Sequence, residues 1–284
     1  MPSSAQEIPL KNWSEFEEQV LRLDGMPRDE AAGTGPYVPL FRGLGNSSWG
    51  LQTTLERSYP TERCDDTLGL RKFYWKGFAA KAAVETFSGI RWDKLPDPPT
   101  FDRLLVEHWS GWLDIILRDP SEIYEYLVYL RHHGFPSPLL DWTASPYVAA
   151  FFAFDLAPKD ADRISVYALV PQAGSGSSDQ HCFIVGPHMR THQRHYLQQC
   201  WYSMCVRLDQ PTQDFLFLPQ ESAMARGNGP AKKLVKFTIP AKDRRLALQQ
   251  LDLMNINPYS LFASEDCLVR TIARRECFFK NWQS

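Results

Sequence analysis

The spacing of apolar residues predicts helices in the first half of the chain and strands in the second half. Apolar side chains recur at helical intervals in four segments, at residues 9–26, 66–88, 101–117 and 121–134. Residues that favour extended structure predict strands in three later segments, at residues 165–170, 202–208 and 234–239. Asn12 or Ser14 is suited to cap the first helix, because a short polar side chain can accept a hydrogen bond from a free backbone N–H.

Shorter signals complete the pattern. The run from Tyr37 to Gly43 is typical of a short strand that ends at a glycine, and residues 49–55 indicate a second extended piece. Residues 147–156 are aromatic and alanine-rich with a helical period, which predicts a buried helix. A further helix is expected from Pro240 through about Met254. Loops rich in Gly, Pro or Ser are predicted at residues 25–36 and 172–181.

These elements predict an α+β fold with a mixed or antiparallel sheet as its core and a helical N-terminal half. We expect an N-terminal helix and loop at residues 1–34, followed by one domain at residues 35–284. An alternative division has a helical lobe inserted into a sheet domain.

Composition and charge narrow the class of protein. The chain has 284 residues, of which 44% are hydrophobic and 23% are charged, so it can bury a substantial core. Its net charge of −2 argues against a protein organised around the phosphate backbone of a nucleic acid. The sequence has no apolar run of about 18 residues, so a membrane-spanning helix is not expected.

Cysteine usage and the first residues bear on location. The six cysteines are scattered, and none forms a Cys-x-x-Cys pair. This usage indicates free, mostly buried thiols in a reducing compartment. The first residues lack the basic segment and apolar stretch of a secretory signal. We therefore expect a cytoplasmic location.

The first candidate site is the run Phe41-Arg42-Gly43 at the end of a predicted strand. The planar guanidinium of Arg42 suits two-point binding of a phosphate or a carboxylate. Gly43 has no side chain, so a ligand can approach its backbone closely. A structural salt bridge of Arg42 is the alternative.

The second candidate site runs from His132-His133-Gly134 to Thr143. Gly134 and two prolines predict a stiff loop, after which Asp141 and Thr143 flank Trp142 before the buried helix. His133, Asp141 and Thr143 would then form a polar patch in a pocket with apolar walls. As an alternative, Asp141, Thr143 or Ser145 would cap the following helix.

Two other chemistries are disfavoured. A zinc site would draw on residues that include His181, His188, His192, His195, Cys182 and Cys200. The His188-x3-His192 spacing is tolerable on a helix, but no cysteine pair completes the ligand set, so we expect no metal. A Ser/His/Asp hydrolase using His133 and Asp141 lacks a Gly-x-Ser-x-Gly turn.

Together these segments resemble the FRG domain, a family named for its Phe-Arg-Gly element. The residues of the first half that carry the resemblance are Phe41-Arg42-Gly43, Trp49, Leu51, Leu55, Arg57, His132-His133-Gly134, Pro136, Leu139-Leu140-Asp141-Trp142-Thr143, Ser145-Pro146, Ala149 and Phe152-Ala153. Those of the second half are Arg194, Gln198, Tyr202, Phe237, Ile239-Pro240, Leu251, Ile256 and Ser260-Leu261-Phe262. The likeness spans about residues 35–272, with departures from the family pattern at Leu44, Ser137-Pro138, Cys200 and Ala263.

The FRG family is distantly similar to ADP-ribosyltransferases, so the resemblance implies an ADP-ribosyltransferase-like fold with NAD as the substrate. Under this mapping, Arg42 would hold the diphosphate of NAD, and Gln198 would lie near the position of the catalytic glutamate. The nicotinamide and its ribose would be framed by Asp141, Trp142, Thr143 and Tyr147. The implied partners are a nucleotide ligand and a protein or nucleic-acid acceptor, without a membrane.

The same resemblance leaves the activity open between two classes. One is an ADP-ribosyltransferase-like enzyme or an NAD glycohydrolase, serving as a toxin or phage-defence effector. The other is a module that binds a nucleotide or a phosphorylated ligand without turnover. Gln198 retains the hydrogen bond of a glutamate but not its charge, which favours the second class, unless Glu221 supplies a carboxylate instead.

Overall fold

The structure is a computed structural model. It describes seven segments, at residues 5–24, 39–58, 69–107, 122–171, 180–186, 193–226 and 232–280. The loop predicted at residues 25–36 lies outside these segments, as does most of the one at 172–181. The predicted domain boundary after residue 34 lies outside them as well.

The described residues form one eight-stranded sheet with the order β1-β8-β4-β2-β3-β6-β5, and β7 also pairs with β6. The strands are β1 Gln6–Pro9, β2 Leu40–Leu44, β3 Leu140–Thr143, β4 Arg163–Pro171, β5 Gln180–Val185, β6 Cys200–Asp209, β7 Asp214–Phe217 and β8 Lys232–Pro240. β1 runs parallel to β8, whereas the other neighbouring strands are antiparallel. The predicted combination of helices with a mixed sheet is therefore confirmed.

Helices pack on both faces of this sheet. They are α1 Trp13–Asp24, α2 Thr54–Ser58, α3 Leu70–Ala79, α4 Lys81–Ser88, α5 Pro98–Glu107, α6 Glu122–His132, α7 Pro146–Asp155, α8 Gln193–Leu197, α9 Gln220–Arg226, α10 Arg244–Leu253, α11 Pro258–Phe262 and α12 Glu265–Ala273. Within the segments that the structure describes, none of these helices is both long and apolar enough to cross a membrane.

The three strands predicted in the second half are confirmed as β4, β6 and β8, each extended by one or two residues at either end. Asn12 and Ser14 were the two proposed caps of the first helix. Asn12 caps it, because its Oδ1 atom accepts a hydrogen bond from the Glu15 N–H at 3.1 Å. That helix begins at Trp13 and not at residue 9, because Pro9 belongs to β1 and pairs with β8.

The helical structure predicted for residues 66–88 is confirmed in the described part of that range, where it forms two helices, α3 and α4, divided at Ala80. Gly77, near the end of α3, has a low helix propensity. Its carbonyl also accepts a hydrogen bond from the Tyr126 hydroxyl at 2.9 Å, which competes with the helical pattern.

The N-terminal segment is integral to the core on one face of the sheet. Trp13 and Phe16 are fully buried. The Trp13 ring packs edge-on against Phe154 at a centroid distance of 5.7 Å, and Phe16 packs against Phe237 at 5.8 Å. Aromatic burial therefore holds α1 against both α7 and the sheet.

Candidate functional site

The candidate site lies where β2 and β3 part. Within the described residues, Phe41 and Thr143 are the one register pair between these strands. β2 pairs along its whole length with β4, whereas β3 pairs with β6. Arg42 and Asp141 both lie on the same side of the Phe41–Thr143 pair, so their side chains can meet across the opening between the strands.

Arg42 spans this opening. Its Nη1 atom donates a hydrogen bond to the Asp141 carbonyl oxygen at 2.7 Å. The same atom lies 3.6 Å from Oδ2 of Asp141. The ion pair considered as the alternative to ligand binding is therefore present. Burial lowers the pKa of Arg42 to about 10; Asp141 opposes this shift, whereas the like charges of Arg131 and Arg57 add to it.

Asp141 is the carboxylate at the centre of the cluster. Its Oδ2 atom accepts a hydrogen bond from Nη2 of Arg131, in the last turn of α6. Burial raises the pKa of Asp141, but the positive charges of Arg131, Arg42 and His132 outweigh burial, so the pKa lies below its usual value. Asp141 is therefore ionised at neutral pH.

Arg57, at the end of α2, is a third cation, and it interacts electrostatically with Arg131 and Asp141. Burial and the like charge of Arg131 lower the pKa of Arg57, although Asp141 and Glu56 oppose the shift. The Arg57 side chain is exposed, and its Nη1 atom donates a hydrogen bond to the Gln52 carbonyl at 2.7 Å. Two guanidinium groups, those of Arg42 and Arg131, thus contact the Asp141 carboxylate, and Arg57 interacts with it electrostatically.

Several buried polar atoms of this cluster have no hydrogen-bond partner among the described residues. They are Nε of Arg42, Nε of Arg131 and the hydroxyl oxygen of Tyr124. Buried polar atoms are almost always hydrogen-bonded in proteins, so atoms like these point to a polar ligand group or to water.

Tyr202, the register partner of Asp141 on β6, lies in a second group of polar side chains. The Tyr202 hydroxyl is 2.8 Å from Nε2 of His132 and 3.3 Å from Nδ1 of His195, and all three side chains are at least partly buried. Burial raises the pKa of Tyr202 well above its usual value, and it raises the pKa of the Cys200 thiol to about 12. Tyr202 and Cys200 are therefore neutral at neutral pH.

Two of the other predicted catalytic residues lie close to this region. Thr143 is buried and is the register partner of Cys200, and its Oγ1 atom accepts a hydrogen bond from the Ser145 N–H at 3.1 Å. Gln198 precedes β6; its Nε2 atom donates to the Leu261 carbonyl at 3.1 Å, and its Oε1 atom is 3.8 Å from the Cys200 thiol. Of the three proposed caps of α7, Ser145 is the one that caps it, accepting from the Val148 N–H.

The predicted nucleotide-binding residues divide into separate environments. His133 is exposed and packs on Tyr129 at a ring distance of 4.2 Å. The Trp142 Nε1 atom donates to Ser203 Oγ at 2.8 Å in a buried contact. Tyr147 packs against the core that contains α7, where burial and the charge of Glu17 raise its pKa.

Gly43 has a structural role that the sequence does not reveal. A Cβ atom at this position would lie 1.9 Å from the Ala149 carbonyl oxygen and 2.7 Å from the Ala153 amide nitrogen. Helix α7 therefore packs directly on the backbone of β2. Only a glycine permits this approach.

Glu221, the other candidate for a catalytic carboxylate, forms hydrogen bonds with Leu51 and Tyr167. One of its oxygens accepts a hydrogen bond from the Leu51 N–H at 3.3 Å, and the other is 3.3 Å from the Tyr167 hydroxyl. Tyr167 is the register partner of Arg42 on β4. Glu221 thus ties the loop before α2 to the strand beside Arg42.

Sequence reasoning missed the contribution of Arg131 and Arg57 to the site. Arg131 directly precedes the two histidines of the second motif, and a basic residue in the last turn of a helix is ordinarily explained by the helix dipole. Arg57 belongs to the resemblance, but its sequence context carries no sign of Asp141.

Within the described residues, no group of three or more His, Cys, Asp or Glu side chains is arranged to hold a metal ion. Of the residues considered as zinc ligands, His188 and His192 lie outside those residues. Among the described residues, no disulfide bond joins the cysteines, which are Cys182, Cys200, Cys205, Cys267 and Cys277.

Part of the chain that holds this site matches a known protein family. The family model of the FRG domain matches residues 38–162, a segment that includes Arg42, Arg57, Arg131 and Asp141. The family resemblance predicted from the sequence is therefore confirmed over this segment. No curated protein and no solved structure matches the chain.

Proposed function

We propose that this protein binds NAD at the Arg42–Asp141 site and cleaves the bond between nicotinamide and ribose, as an enzyme with an ADP-ribosyltransferase-like fold. The ADP-ribose would pass to a protein or nucleic-acid acceptor, or to water. One observation carries the proposal: Arg42 and Asp141 meet where two neighbouring strands part, and further cations stand beside them.

The charges of the arginines and of Asp141 suit two parts of NAD, the diphosphate and the ribose at the bond that is cleaved. The diphosphate of NAD carries two negative charges, which guanidinium groups bind in a bidentate manner. Cleavage of the glycosidic bond leaves the bonding electron pair on nicotinamide and develops positive charge on the ribose. Asp141 is ionised at neutral pH, so its carboxylate can stabilise that charge while an acceptor oxygen attacks C1′ of the ribose and releases its proton to solvent.

A second candidate function is a nucleotide-binding module without turnover. The observation that favours it is the state of Gln198. Its amide carries no charge, and its Nε2 atom donates to the Leu261 carbonyl. A carboxamide held in this way keeps one hydrogen-bond acceptor for the sugar but supplies no electrostatic stabilisation.

Incubation with NAD that carries a label on its nicotinamide separates the two functions. We expect the wild-type protein to release free nicotinamide, and Arg42→Gln to reduce the rate at least about tenfold through the loss of a charge-assisted contact. Arg91→Gln is the matched control, because the Arg91 side chain is 72% exposed and lies outside the site. Bound NAD without nicotinamide release would exclude the enzyme and leave the binding module.

A further inference from the structure

Helix α2 is built to present Arg57 to the candidate site. Thr53 and Glu56 form a reciprocal cap at its start: the Glu56 N–H donates to Thr53 Oγ1 at 3.2 Å, and the Thr53 N–H donates to Glu56 Oε2 at 2.6 Å. The acidic neighbour of Arg57 is therefore engaged in capping the helix.

The same helix is fastened to the loop that leads into β3. The Leu55 N–H donates to the Ser137 carbonyl at 3.1 Å, and the Ser137 N–H donates to Thr54 Oγ1 at 3.0 Å. Since Ser137 is followed within a few residues by β3 and Asp141, these bonds join α2 to the segment that leads to the carboxylate. Helix α2 is therefore positioned by contacts that do not involve the Arg57 side chain.

The arrangement concentrates positive charge. Arg42, Arg57 and Arg131 influence one another as like charges, and two carboxylates, Asp141 and Glu56, oppose them. Like charges held together cost free energy, which a bound anion removes. Arg42 and Arg131 already bind Asp141, whereas the Arg57 side chain has one hydrogen bond to a protein group among the described residues. A guanidinium has five N–H donors, so most of those of Arg57 have no hydrogen-bond acceptor among the described residues.

We propose that Arg57 is the residue that binds the phosphate groups of the nucleotide from the exposed side, and that Arg42 and Arg131 complete this site. In phosphate binding, Asp141 positions the two partly buried guanidinium groups that it contacts. This proposal rests on the proposed function in taking a nucleotide as the ligand, but it does not require bond cleavage.

Calorimetric titration of the full chain tests the assignment with three probes: ADP-ribose, inorganic pyrophosphate and adenosine. We expect Arg57→Gln to weaken ADP-ribose binding about tenfold, and pyrophosphate binding by a similar factor. Arg57→Lys should weaken both less, because it keeps the charge but loses the planar fork. Adenosine lacks a phosphate, so its affinity should not depend on residue 57.

The controls separate this proposal from a structural effect and from the proposed function. Arg57 is exposed, so both variants should unfold at the wild-type temperature, and Arg91→Gln should bind ADP-ribose as the wild type does. Equal ADP-ribose affinity in Arg57→Gln and the wild type would overturn the proposal, as would failure of the wild type to bind either phosphate compound. Arg57-dependent binding without nicotinamide release would instead retain it and reject NAD cleavage.

Discussion

Replacing Gly43 with alanine is expected to destabilise the protein by roughly 3 kcal/mol or more, because the added methyl group overpacks a rigid contact. Its Cβ atom would lie 1.9 Å from the Ala149 carbonyl oxygen, and both nearest neighbours belong to the backbone of α7. Neither can move as a side chain would, so the helix or the strand must shift. Urea unfolding followed by circular dichroism measures the change.

Gly77→Ala is the matched control for this substitution. Gly77 lies inside α3, and the nearest atom to its added Cβ would be Leu130 Cδ1 at 3.2 Å, the end of a flexible side chain. Alanine also has a higher helix propensity than glycine by about 1 kcal/mol. We expect Gly77→Ala to be close to neutral, and wild-type stability of Gly43→Ala would refute the direct packing of α7 on β2.

The second large effect is expected for Asp141→Asn. This change keeps the shape of the side chain but leaves the partly buried guanidinium groups of Arg42 and Arg131 without their carboxylate. Removing one partner of a buried ion pair costs several kcal/mol. Because the Asp141 side chain is 33% exposed, solvent screening reduces the expected loss to about 2 kcal/mol. Asp93→Asn, at a side chain that is 75% exposed, should leave stability unchanged.

The difference in stability between the wild type and Asp141→Asn should depend on pH in a defined direction. The pKa of Asp141 is lowered in the folded protein, so its contribution is fully present above the unfolded-state pKa of about 3.9. It is lost as the pH falls through the folded-state pKa. The stability difference between wild type and Asp141→Asn should therefore be constant from about pH 7 to pH 5 and shrink below about pH 4. A difference that grows on acidification would contradict the ion-pair assignment.

The parts of the fold that the sequence predicts well are those with a strong local pattern. β4 and β8 have nine residues each, and their β-branched and aromatic content is sufficient to identify them. The Asn12 cap is also a local feature, since donor and acceptor are three residues apart.

Short strands depend instead on their partners. β1 and β3 have four residues each, and the Leu-Asp-Trp-Thr sequence of β3 includes an aspartate, which is disfavoured in strands. β3 is extended because it pairs with Cys200 to Ser203 on β6, about sixty residues away in the sequence. A local pattern carries no information about such pairing.

The candidate site was partly predictable for the same reason. Arg42 and Asp141 stand in recognisable motifs, and the structure brings them into contact. The opening of the sheet and the position of Arg131 depend on register and on packing of α6, which only the assembled sheet determines.

The most direct test of the central claim is calorimetric titration of NAD into the intact protein and into Arg42→Ala. If the Arg42–Asp141 cluster is a nucleotide site, the wild type binds NAD with an affinity that falls as salt is raised, because the contacts are ionic. Folded Arg42→Ala, verified by circular dichroism, should bind at least about tenfold more weakly. Absence of binding to the wild type, or equal affinity of the two proteins, would contradict the claim.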